Sequence, residues 1–161
     1  MEPNHQPGTL TTSQTLLEPI TLNAEQSLRN FAQGDRFESV LETAFATQKA
    51  PFLAQSLQTG NFLNRLNLEI RSPSALEGAL GAYASAKDTV YLSESLLTQA
   101  TVKQATGVLL EEVGHAIDDF LNDTDTAGDE GAMFASLLQG NELSNQELAL
   151  LREEDDSTTL E

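Results

Sequence analysis

Glu111, Glu112 and His115 stand in the run Leu110-Glu111-Glu112-Val113-Gly114-His115-Ala116-Ile117-Asp118-Asp119. On a helix, Glu111 and His115 project from the same face, so both can reach one ion. Carboxylate and imidazole are both ligands for zinc and other divalent transition metals. Glu112 adjoins them, where a carboxylate can act as general base on an attacking water. Gly114 lets a neighbouring element come close. Two carboxylates with one His form a hard, negative donor set, which shifts preference toward Mn²⁺, Fe²⁺ or Ca²⁺. A second reading is an ordinary amphipathic helix. Leu109, Val113, Ala116, Ile117 and Phe120 form one apolar stripe, and the acids and His115 fall opposite it on a solvated face.

A second cluster of donors follows. Asp123, Asp125 and Asp129 alternate with small residues before Glu130. With Asp123 as the first position, Gly128 takes the sixth place of a calcium loop, but Phe134 occupies the twelfth, where a bidentate Glu belongs. That leaves a looser calcium site, with Asp118 as a further candidate ligand, or a solvated turn whose Asp129 and Glu130 favour the next helix N-terminus.

The elements that must position these residues read as helices, then short strands, then helices. Residues 1–22 are rich in Pro, Thr, Gln and Ser and read as a flexible arm. Asn23 suits an N-cap for a helix over 24–33 closed by Gly34. A second helix over 36–48 places Phe37, Val40, Leu41, Ala44 and Phe45 on one face. Pro51 opens a short third helix. Residues 65–70 alternate as a half-buried strand, and 79–84 with 89–92 read as a β-hairpin. Ser93 caps the helix that follows, and a break near residues 100 and 101 stays open. The strongest helical signal runs over 103–121. A helix over 129–139 comes next, and Ser144-Asn145-Gln146-Glu147 is a capping box for a last one. The sum is an α+β fold, mainly helical, with a small and largely antiparallel sheet before the metal-site helix. It makes one domain over 23–155 and leaves an acidic tail over 156–161.

Composition narrows the function. The chain has 161 residues, no Cys and a net charge of -17. Thiolate metal sites, disulfides and a Cys nucleophile are excluded. The charge repels nucleic acid and anionic membranes, and it favours cations and basic peptides. No apolar run approaches a membrane span of about 20 residues. The first residues lack the basic start and apolar stretch of an ordinary secretory signal.

The run Glu111-Glu112-Val113-Gly114-His115-Ala116 resembles the metal helix of the zincin metallopeptidases, H-E-x-x-H and often H-E-x-G-H-A. The continuation Ala116-Ile117-Asp118-Asp119 is similar to the lethal-factor-like gluzincins. Glu111 departs from the pattern, since it stands where the family has its first His. The resemblance covers roughly residues 68–139. It implies a peptidase-like hydrolase acting on a peptide or protein. Glu111, His115 and Glu130 would hold zinc or another divalent ion, Glu112 would be the catalytic base, and Tyr83 and Tyr91 would line the substrate cleft or pack the hairpin. For Glu130 to face His115, the two helices must cross, or the first must end early. Runs similar to Glu-Glu-x-Gly-His and Gly-Asp-Glu-Gly also occur in cyanobacterial exoproteins with calcium-binding repeats. That second likeness implies the N-terminal region of a secreted, calcium-rich protein exported without a cleaved signal, and it fits either activity. The alternative to the hydrolase is a catalytically inactive zincin-like binding or structural module, stabilised by calcium, of a larger secreted protein.

Overall fold

The computed structural model describes residues 12–45, 51–121 and 130–139, together with 146, 147 and 150. Seven helices and three strands are bounded among them. The helix α1 spans Thr12–Gln33, so residues 12–22 are helical rather than part of an arm, and Asn23 lies mid-helix rather than at a cap. Ile20, Ala24, Leu28, Phe31 and Ala32 are buried along it. That stripe extends upstream to Leu17, which packs on the core. Burial at helical spacing outweighs the hydrogen bond lost at the exposed Pro19.

The helix α2, Phe37–Phe45, buries Phe37, Val40, Leu41, Ala44 and Phe45, the face its spacing predicts. Next, α3 spans Pro51–Thr59, and Gly60 at φ 82° turns the chain into α4, Asn61–Arg65. Only glycine adopts that left-handed conformation without strain.

The strands are β1 (Asn67–Arg71), β2 (Gly81–Ala84) and β3 (Thr89–Ser93), in the order β1-β3-β2. The β2–β3 hairpin is antiparallel, pairing Tyr83 with Val90. By contrast β1 runs parallel to β3, pairing Leu68 with Val90 and Ile70 with Leu92. The sheet is therefore mixed, which corrects the expectation of a largely antiparallel one. The hairpin occupies one edge of β3. The connection through Glu77 and Gly78, both at positive φ, separates β1 from β2, and β1 takes the other edge. Leu68, Ile70, Tyr83, Val90 and Leu92 contribute to the main core. Leu76, Ala82, Ala84 and Tyr91 form a small cluster of their own.

Ser93 caps α5 (Glu94–Gln99) by accepting from Ser95 N–H. The chain then breaks, and Thr101 and Gln104 cap α6 (Val102–Leu121) reciprocally: Gln104 N–H donates to Thr101 Oγ1 and Thr101 N–H donates to Gln104 Oε1. The last bounded helix, α7, spans Glu130–Leu138. Phe134 of α7 sits at the core centre, with the Phe31 and Phe45 rings at 5.4 and 5.5 Å. The α+β architecture thus wraps helices around one face of the sheet and centres them on the α6–α7 pair. No helix among the described residues is long and apolar enough to cross a membrane.

Candidate metal centre

The two helices that carry the donor residues meet backbone to backbone. A Cβ on Gly114 would lie 2.9 Å from Gly131 Cα, and one on Gly131 would collide with the Glu111 carbonyl oxygen and the His115 ring. Glycine at both positions lets α6 and α7 close together and leaves the space that the His115 ring fills. The first helix does not end early. It runs to Leu121, and the Gly114–Gly131 contact is what brings Glu130 onto His115.

Glu111, Glu112 and His115 each offer a ligand atom within 4.8 Å of the others. Glu130 lies outside that group of three and binds the histidine instead, with His115 Nδ1 and Glu130 Oε1 3.1 Å apart. With Glu130 ionised, Nδ1–H donates to it, which puts the ring's lone pair on Nε2. Carboxylates commonly hold metal-ligating histidines in this way. Burial pushes the Glu130 pKa above its ordinary value, with Asp118 adding to the rise, while the His115 contact works against it. The second oxygen of Glu130, Oε2, is buried and has no hydrogen-bond partner among the described residues.

Burial overturns the solvated-face reading of α6 for Glu112, His115 and Asp118, and leaves it standing for Asp119. Glu112, His115, Asp118 and Glu130 are 3, 5, 1 and 2% exposed. Glu112 faces inward because α7 and β2 cover its side of the helix, where a Cβ on Gly81 of β2 would lie 3.1 Å from Glu112 Cγ; Glu111 is half-buried and Asp119 is exposed. Phe120, expected in the apolar stripe, is instead 44% exposed, with its ring edge-on to Phe62.

Tyr83 and Tyr91 are both buried. The Tyr83 hydroxyl donates to Asp88 at 3.0 Å, and Asp119 Oδ2 lies 3.4 Å away. It thereby ties the hairpin turn to the end of α6. Burial and these two carboxylates raise its pKa far above the ordinary tyrosine value. Tyr91 packs in the small cluster with Ala82 and Ala84 under the Arg71 guanidinium. The residues Asp123, Asp125 and Asp129 of the candidate calcium run lie outside the described residues, as do residues 1–11 of the expected arm and the tail over 156–161.

A comparison with protein-family models gives no match, and comparisons with curated proteins and with solved structures give none either. The chemistry of the site therefore rests on its own residues. Glu112, Asp118, Glu130 and His115 are all buried, Glu130 lies on the His115 ring, and no Lys or Arg is buried among the described residues. Burying several carboxylates together costs several kcal/mol per ion. A divalent cation would offset that cost, and the donor set suits one: an imidazole nitrogen and carboxylate oxygens within ligand reach.

Proposed function

We propose that this chain is a metal-binding domain of zincin-like design, in which Glu111, Glu112 and His115 hold one divalent ion and Glu130 orients His115. The observation that carries this reading is the convergence of Glu111, Glu112 and His115, whose ligand atoms lie within 4.8 Å of one another where α6 and α7 touch, with Glu130 on the His115 ring. The bound ion would neutralise the joint between the two helices that the core is built on. The acid-rich donors favour Mn²⁺, Fe²⁺ or Ca²⁺ alongside zinc. The role is that of a metal-stabilised binding or structural module, and the exposure of only 3 and 5% at Glu112 and His115 supports it over open-cleft chemistry.

A hydrolase is the second reading, and one observation favours it. The edge strand β2 passes against Glu112 at Gly81. A peptide added along that edge would lie beside the carboxylate. The ion would polarise the scissile carbonyl, and Glu112 would take the proton of the attacking water.

Metal content tests the first reading. Protein purified without chelator is measured by elemental mass spectrometry beside His115→Ala. Near-stoichiometric metal that disappears in the variant is the expected result. Equal metal in both, or none in either, removes the site. The hydrolase reading requires in addition that a peptide library be cleaved and that Glu112→Gln abolish the cleavage.

A further inference from the structure

We propose that an open cleft remote from the α6–α7 cluster binds a small hydroxylated carboxylate of sugar-acid size. The cleft, about 550 Å³, is lined by α1, the α1–α2 turn and the ends of α6 and α7. That volume falls within the roughly 300–1,000 Å³ typical of small-molecule sites.

Its walls divide by chemistry. Asn23, Gln26 and Asn30 repeat at helical spacing on α1, and Gln139 lines the same cleft from the end of α7. Gln26 Nε2–H donates to Asn30 Oδ1 at 3.1 Å, which fixes the orientation of both amides. Side-chain amides offer a donor and an acceptor at once, which matches the dual character of a hydroxyl group.

The charge comes from Arg36 and Lys103, which line the cleft together. The other arginines of the described residues are engaged: Arg29 with Glu25, Arg71 with Glu69, and Arg65 over the Phe62 ring. Arg36 and Lys103 have no ion pair or ring contact among the described residues, in a chain whose net charge is -17. Lys87, the remaining described base, stands at the hairpin turn. Lys103 lies in the first turn of the 20-residue α6, a turn without an acidic residue. The helix dipole adds positive potential there. Two cations lining one cleft, one of them in the first turn of a helix, suit a carboxylate. Asp35, the one acid lining the cleft, accepts a hydrogen bond from a ligand hydroxyl, and its charge disfavours a dianion such as phosphate.

The test is ¹⁵N chemical-shift mapping on the full chain with D-glucuronate, D-glucose and inorganic phosphate as probes. Saturable shifts with glucuronate at Asn30, Gly34, Lys103 and Gln139, at least tenfold weaker with the other two, are the expected result. Arg36→Gln combined with Lys103→Gln lowers glucuronate affinity at least tenfold while the circular dichroism stays unchanged. Absence of saturable shifts, equal binding of glucose or phosphate, or undiminished binding by the double variant overturns the proposal. Shifts confined to residues around Glu111 and His115 overturn it too, because they report capture at the metal centre.

Discussion

Gly131 is the residue on which the candidate centre depends most directly, because it carries no ligand and still decides whether the ligands meet. A methyl group there collides with backbone on one side and the His115 ring on the other. The Glu111 carbonyl is backbone and cannot rotate away, so Gly131→Ala is expected to destabilise the metal-free protein by about 2–3 kcal/mol, the upper range of overpacking. Gly107→Ala is the control. Its Cβ would meet only the Gln139 amide, at 3.4 Å, and a helix-interior Gly→Ala change there is expected to stabilise by about 0.5–1 kcal/mol. Urea denaturation of the two variants measures the contrast, and equal effects would mean that the helices do not touch at Gly131. Glu130 acts through His115. Glu130→Ala removes the acceptor at Nδ1 and is expected to weaken metal binding about 10–100-fold. Glu130→Gln keeps an acceptor oxygen and should lose less. Chelator competition orders the three proteins, and identical affinities would assign Glu130 no part in the site.

At the scale of elements, the patterns that one helix or one hairpin can satisfy alone were readable in the sequence, and the patterns that need a partner were not. The apolar face of α2 and the hairpin follow from local periodicity. The α5–α6 break also had a local signature, Thr101-x-x-Gln104, which the caps at both residues explain. The parallel pairing of β1 depends on which edge of β3 stays open, and that is decided by residues remote in sequence. A solvated face stayed open as a reading of α6 because a helix sequence does not show what covers its polar face; α7 and β2 cover Glu112 and leave Asp119 exposed. Of the candidate ligands, the spacing of Glu111, Glu112 and His115 survives as a cluster, while Glu130 takes the histidine rather than joining the three. Tyr83, expected to line a cleft or pack the hairpin, is buried in the hairpin and links β2 to the end of α6, and that link has a pH signature. Its folded pKa lies above the ordinary value near 10. At alkaline pH the native state keeps a proton that the unfolded chain has lost. The resulting stability is complete below pH about 10 and is lost as pH rises toward the folded value, at about 1.4 kcal/mol per pH unit. Tyr83→Phe lacks this dependence and loses about 1 kcal/mol at neutral pH with the hydroxyl bond. In a Tyr91→Phe background, tyrosinate absorbance should appear only as the chain unfolds; ionisation of the folded protein near pH 10 would contradict the buried, carboxylate-facing hydroxyl.

For the whole molecule, the question is how a domain with net charge -17 tolerates three buried carboxylates at its central helix joint. Two neutralising agents are available, protons and a divalent cation, and they predict opposite behaviour. Proton uptake alone makes the chain more stable as pH falls, because the raised Glu130 pKa means that the native state binds a proton more tightly than the unfolded one. A cation needs its ligands deprotonated, so its stabilisation shrinks as pH falls. At a free metal concentration one hundred times Kd, binding contributes about 2.7 kcal/mol. For a domain of this length that amounts to a Tm increase of about 5–10 °C. Calorimetry at pH 7 and pH 5, with and without chelator, separates the two agents. A chelator-sensitive Tm at pH 7 whose sensitivity fades by pH 5 identifies the cation as the neutralising charge. A Tm indifferent to chelator that rises from pH 7 to pH 5 assigns the role to protons, and the α6–α7 joint is then a buried acid cluster with no metal to hold.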